Sequence, residues 1–114
     1  MTGFENLDVW KEGCRLAVAV YSAMKSCKDF GLRDQLQRSA VSISSNIAEG
    51  SERRSGKEFI QFLYIAKGSA AELRTQLYIA AKIGVIDNGT AKALAGDARR
   101  ISAMLQNLIS SLHP

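Results

Sequence analysis

The feature of this sequence that most limits its fold is the absence of proline before the last residue, Pro114. Proline ends or kinks helices, so only glycines and polar clusters can separate the elements here. Between these breaks apolar residues recur at spacings of three and four, the period of an amphipathic helix, and no segment alternates like a strand. The sequence therefore predicts an all-α protein.

Four segments carry this period. We expect the first helix from Leu7 to Cys27, after Asn6 as N-cap, and the second from Leu32 to Glu49, with Gly50 as C-cap.

The third and longest helix is predicted over residues 56–83. Ser55 followed by Glu58 forms a capping box, and Gly84 ends the helix. The fourth runs to Leu112 after a cap at Asp87 or Thr90. Because the links are short, we expect an antiparallel, up-down-up-down four-helix bundle that forms a single domain over residues 1–114.

The sequence predicts a cytoplasmic protein. The N-terminus lacks a basic region followed by an apolar one, and the longest apolar run, "LAVAVY", is too short to span a membrane. We expect Cys14 and Cys27 both on the first helix, about 20 Å apart, too far for a disulfide.

The sequence lacks the residue patterns typical of catalytic and metal sites. The only histidine, His113, is one residue from the end, which excludes a histidine base or triad elsewhere. No Glu-x-x-His pair suits a di-iron centre, and no glycine-rich phosphate loop is present. We therefore predict no enzyme activity, no metal and no cofactor.

The stretch "SAVSISSNIAEGSERRSGKEF" is rich in serine, and its polar residues fall in lines beside the apolar stripe. Buried polar groups need partners, so we expect the lines on the second and third helices to face each other, either within the chain or across a subunit boundary. Arg38 is expected to pair with Glu72, and Ser42 or Asn46 with Gln76 or the backbone. The polar network predicted in this way comprises Arg38, Ser42, Asn46, Glu49, Ser69 and Glu72.

Basic residues form separate clusters in a chain of net charge +4. Arg53, Arg54 and Lys57 lie at the link between the second and third helices, and Arg99 and Arg100 lie on the fourth. These five are candidate nucleic-acid contacts, although solvated faces would look the same. Trp10 could stack on a base, but a core position near a helix start is the more common role.

The third helix carries large apolar residues off its main stripe: Phe62, Tyr64, Tyr78 and Ile79. In a lone bundle they would leave an exposed apolar patch, so we expect copies of the chain to associate, although a central third helix buried on several sides would carry the same residues.

The segment "QLQRSAVSISSNIAEGSERRSGKEFIQFLYIAKGSAAELRTQL" resembles the four-helix-bundle proteins related to the 23S ribosomal RNA intervening-sequence protein, a group similar to the accessory protein of diversity-generating retroelements. "FENLDVWKEG" and "IAAKIGVID" extend the resemblance over nearly the whole chain. Many members have proline where this chain has Ser44, which implies a straighter second helix here.

The resemblance implies a homopentameric barrel without an established activity for most members. The retroelement relative is a nucleic-acid-binding partner of a reverse transcriptase. Two interpretations follow for this chain. It is either a self-assembling ring whose basic surface contacts RNA, DNA or a nucleic-acid enzyme, or a purely structural or protein-interaction module that binds no nucleic acid. Salt-dependent binding to RNA or DNA would separate them.

Overall fold

The computed structural model describes residues 3–113 and confirms an all-α chain with four helices. A short 3₁₀ helix at Phe4–Asn6 precedes α1, and no strand occurs within the described residues. The molecule measures 45 × 21 × 21 Å along its principal axes. The helices span Asp8–Ala23 (α1), Phe30–Ser51 (α2), Gly56–Lys82 (α3) and Asn88–Leu112 (α4).

Both ends of α1 differ from the prediction. The N-cap is Leu7, with no side-chain cap, because Asn6 closes the preceding 3₁₀ turn. The helix ends at Ala23, so the expectation that Cys27 lies on it was wrong. Cys27 is buried in the connection, where its thiol donates to the carbonyl of Asp29 at 3.6 Å. Both cysteines are free.

The start of α2 is two residues earlier than expected, since the side chain of Asp29 accepts a hydrogen bond from the backbone N–H of Leu32 at 3.1 Å. The prediction that Gly50 ends the helix was wrong. The helix continues through Gly50 to Ser51, and a Cβ at Gly50 would lie 2.6 Å from the Cβ of Phe62. Glycine is therefore required here for the close approach of α2 and α3.

The predicted start of α3 is confirmed, and of the two caps predicted for α4, Asp87 and Thr90, the structure has Asp87. Both caps are local contacts. The hydroxyl of Ser55 accepts from the N–H of Glu58 at 3.2 Å. At α4 the cap is Asp87, which accepts from the N–H of Thr90 at 2.8 Å and from its hydroxyl at 2.7 Å. After α3 the chain turns at Gly84, whose φ of 84° lies in the region that favours glycine.

One hydrophobic core draws on all four helices. The helices contact each other in the pairs α1–α2, α2–α3, α3–α4 and α1–α4. Trp10 is half-buried, packs against this core and meets the ring of Phe4 edge-on at 5.3 Å. Within the described residues, no helix combines the length and apolar character that a transmembrane span requires.

Candidate functional site

The basic cluster at the α2–α3 connection contains three cations. Within the described residues one of them, Arg53, has a carboxylate partner, and Arg54 and Lys57 have none. Arg53 donates to the carboxylate of Glu49 at 2.9 Å, and its guanidinium lies 4.8 Å from the ring centre of Phe62. Arg54 and Lys57 are exposed on either side of the Ser55 cap. An anion at this connection would therefore meet mainly Arg54 and Lys57, since the charge of Arg53 is already balanced.

The neighbouring Arg99 and Arg100 point to different sides of α4. Arg100 donates to Glu12 of α1 at 2.9 Å and lies 3.6 Å from Asp97. The hydrogen bond from Arg100 holds the pKa of Glu12 below its ordinary value, and the charge of Arg15, also paired with Glu12, adds to this. Arg100 thus ties α4 to α1.

Arg99 instead borders a groove between α3 and α4, beside Arg74 and Tyr78. The two predicted basic clusters do not converge, because residues 57 and 74 of the same helix are about 25 Å apart at 1.5 Å per residue. The five predicted residues therefore form two separate surfaces.

Part of the predicted polar network comes together at the α2–α3 seam. The hydroxyls of Ser42 and Ser69 lie 2.8 Å apart, and Asn46 donates to the carbonyl and the hydroxyl of Ser42 at 2.8 and 2.9 Å. Ser69 is buried and the other two are half-buried. These contacts satisfy polar groups along the helix interface, so their immediate effect is to fix the register of α2 against α3.

The charged residues expected in this network lie outside it. Arg38 pairs with Asp34 at 2.9 Å on the exposed face of α2, so the expected pairing with Glu72 was wrong. Glu49 pairs with Arg53, and Glu72 is exposed. Charged side chains are rarely buried without a partner, and the helix rotation that buries Ser69 leaves Glu72 in solvent.

Three contacts between distant residues were not predicted. Ser44, where many family members are expected to have proline, is buried and donates to the carbonyl of Trp10 at 3.1 Å. Lys67 donates to Gln106 at 2.7 Å, and Arg100 binds Glu12. Periodicity identifies the buried face of each helix but does not identify which polar residues on different helices meet.

The structure offers no metal centre within residues 3–113, where no three His, Cys, Asp or Glu side chains converge in a way that could hold an ion.

Comparisons with known proteins place this geometry in context. The family model for the 23S rRNA-intervening sequence protein matches residues 5–107. A crystal structure of a protein of unknown function from the S23 ribosomal protein family of Bacteroides thetaiotaomicron VPI-5482 superimposes with a TM-score of 0.83 at 26% identity, covering 89% of this chain and 97% of that one. No curated protein matches the sequence significantly.

Proposed function

Since this chain belongs to the family of 23S rRNA-intervening sequence proteins, we propose that it is a non-catalytic helical scaffold that assembles with copies of itself. The observation that carries this proposal is the outer face of α3. Of the large apolar side chains that are exposed among residues 3–113, more lie on α3 than on any other helix: Tyr64, Ile65, Tyr78 and Ile79, with Ile83 at its C-cap.

The proposed architecture is an antiparallel bundle. Two α2–α3 contacts support it, because residue numbers rise along one helix while they fall along the other. Ser42 meets Ser69, and Gly50 meets Phe62. The helices are joined by short connections, as up-down-up-down bundles require.

The proposed contact between copies is a ridge on the α2 side of α3, formed by Ile65, Ile79 and Ile83. At 100° per residue these three project from one face of the helix. Each is 47 to 57% exposed, and burying the rest of such a side chain contributes about 1 kcal/mol. Phe62, expected on this face, packs against Gly50 instead.

We further propose that the assembly is a ring of five copies, the number implied by the family resemblance. A ridge that meets a different surface of the next copy generates a closed ring when the rotation closes. Five chains of 12.4 kDa would form a particle of about 62 kDa.

The test is the solution mass, measured by sedimentation velocity over a range of concentrations. We expect about 62 kDa for the natural protein and a shift to the single chain in Ile65→Glu/Ile79→Glu. Val18→Glu/Val41→Glu changes two exposed apolar residues on α1 and α2 and should keep the natural mass. A natural protein of 12.4 kDa at every concentration would refute self-assembly.

A second function is contact with RNA, DNA or a nucleic-acid enzyme in the cytoplasm. It is favoured by Arg54 and Lys57, which have no carboxylate partner within residues 3–113. Arg54 and Lys57 are both exposed, one on each side of Ser55 in the sequence, and a ring would repeat them in every copy. Neutralising phosphates releases counterions, so such binding weakens as salt rises.

The measurement is the affinity for structured RNA and for DNA at low and at physiological salt, with Arg54→Gln/Lys57→Gln alongside. Binding that weakens with salt supports the proposal. An absence of binding at low salt would favour the alternative, a structural or protein-interaction module whose positive charge has no nucleic-acid partner.

A further inference from the structure

Ion pairing divides the arginines of this chain into two groups. Arg15, Arg38, Arg53 and Arg100 each have a carboxylate partner. Within the described residues, Arg33, Arg54, Arg74 and Arg99 have none, and neither do the lysines, which include Lys82 and Lys92. Cations left unpaired by the fold are the ones available to an external anion.

Four of these unpaired cations line one groove between α3 and α4. Arg74 and Lys82 come from α3, and Lys92 and Arg99 come from α4. The remaining lining residues are Tyr78, Ala81, Asn88, Ala91 and Ala95, none of which is acidic. Like charges brought together without a counter-charge repel each other, so the groove is an electrostatically favourable place for an anion.

Arg74 supplies a second, independent indication. Its Nε is buried from solvent and has no hydrogen-bond acceptor within residues 3–113. A buried donor without a partner destabilises the fold, and such groups are few in native proteins. The guanidinium fork matches two oxygens of a phosphate, so a phosphate in the groove would satisfy this donor and balance the charge.

The groove also contains an aromatic platform. The side chain of Tyr78 is 56% exposed, and the ammonium of Lys82 lies 5.4 Å from its ring centre. Aromatic side chains beside cations are the combination that binds single-stranded nucleic acid, because bases stack on the ring while the backbone follows the charges.

We propose that this groove binds a single-stranded segment of RNA or DNA, with phosphates on Arg74, Lys92 and Arg99 and a base on Tyr78. The inference rests on the nucleic-acid function proposed above and assigns it a contact surface separate from Arg54 and Lys57. At 1.5 Å per residue, Arg74 to Lys82 spans about 12 Å and Lys92 to Arg99 about 10 Å, the length of about three stacked nucleotides.

The groove is compatible with the proposed assembly. The groove is lined by α3 and α4, whereas the ridge lies on the α2 side of α3, where Ile79 is beside Gln35. Ile79 also borders a neighbouring depression that contains Arg74, Tyr78 and Arg99. A ring in which the ridge meets a surface of the next copy other than this groove presents one groove in each copy.

The test is fluorescence anisotropy with labelled oligo-U and oligo-dT of about twelve nucleotides at several salt concentrations. Lys92→Gln/Arg99→Gln should reduce the slope of log Kd against log salt by about 1.4, since each phosphate contact on a single strand contributes about 0.7. Lys11→Gln/Lys25→Gln removes two exposed cations away from the groove and should leave the slope unchanged. Both substituted pairs are on the surface, so folding is preserved.

The role of Tyr78 in stacking is tested separately, by the affinity of a variant for the same oligonucleotides. Tyr78→Leu should weaken binding at least fivefold, the lower end of the range for one stacked base, without a change in slope. If Tyr78→Leu binds like the natural protein and inorganic polyphosphate competes as well as oligo-U, the groove is a general polyanion surface and the assignment to single-stranded nucleic acid is overturned.

The experiment distinguishes a wrong assignment of the groove from a wrong proposal of nucleic-acid binding. If the natural protein binds and only Arg54→Gln/Lys57→Gln loses affinity, the function stands and the groove assignment is wrong. If the natural protein binds neither oligonucleotide nor structured RNA at low salt, both are wrong.

Discussion

Replacing Gly50 with alanine tests the packing of α2 against α3. The sequence suggested a helix-ending glycine, but Gly50 lies within the last turn of α2 and is buried. A Cβ there would lie 2.6 Å from the Cβ of Phe62, 3.0 Å from Cδ1 of Phe59 and 3.3 Å from Cγ of Phe62. The nearest of these atoms is attached directly to the backbone of α3, so a side-chain rotation cannot move it away.

The expected magnitude is the difference between two effects. Alanine is favoured over glycine inside a helix by about 1 kcal/mol. Carbon atoms pack at about 3.5–4.0 Å, so the contact with Phe62 would require the two helices to separate by about 1 Å. Overpacking of this kind typically destabilises by 1–3 kcal/mol. Because a backbone shift is needed, we take the upper end and expect Gly50→Ala to lower the free energy of unfolding by about 2 kcal/mol.

The matched control is the same substitution at Gly96 on α4, where an added Cβ would meet nothing within 4 Å. Gly96→Ala should raise the free energy of unfolding by about 1 kcal/mol, from helix propensity alone. Both variants are unfolded in urea and followed by circular dichroism. The protein concentration is held equal because association shifts apparent stability.

The two variants should therefore differ in sign, by about 3 kcal/mol in total. If Gly50→Ala is as stable as Gly96→Ala, α2 and α3 do not approach each other closely enough at Gly50 to exclude a Cβ atom, and the inferred contact is wrong. If both substitutions destabilise equally, a property common to the two glycines is responsible, and the argument from the Phe62 contact is refuted.

Three further predictions concern single contacts. Ser55→Ala should lower the free energy of unfolding by about 1 kcal/mol through loss of the α3 cap, and Ser55→Asp, which retains a cap, should restore it; an unchanged midpoint in Ser55→Ala would show that the hydroxyl is dispensable. The double-mutant cycle of Ser42→Ala and Ser69→Ala should give a coupling of about 1 kcal/mol, and additive losses would contradict their hydrogen bond. The hydrogen bonds from the side chain and then the backbone of Thr90 lower the pKa of Asp87 below its ordinary 3.8. Its stabilising effect is therefore complete above that ordinary pKa and is lost as pH falls through the lowered one. Asp87→Asn keeps a cap and should lose less stability between pH 5 and pH 2 than the natural protein; equal acid sensitivity would refute this role.

The sequence could not predict which cations form ion pairs within the chain and which face the groove. Arg99 and Arg100 are adjacent in the sequence and equally basic, yet one binds Glu12 and the other faces the α3–α4 groove. Arg74 was not predicted as a site residue, because on its own helix it looks like an ordinary polar position. The groove arises only when α3 and α4 pack side by side.

The sequence by itself determined the helical class, the number of helices and the start of α3, and it limited the cap of α4 to Asp87 or Thr90. These follow from apolar periodicity and from caps at Ser55 and Asp87, which are interactions between residues three or four positions apart. The family was also accessible, because the segment from Gln35 to Leu77 is distinctive and the match over residues 5–107 confirms it.

Only the tertiary structure decided which polar residues meet. Glu12 and Arg100 are 88 positions apart, and Ser42 and Ser69 are 27 apart. Whether such pairs form depends on the rotation and axial position of each helix, to which all the packed side chains contribute together. For the same reason Gly50, which the local pattern marks as a helix end, instead permits the contact with Phe62: the partner that requires glycine lies on another helix.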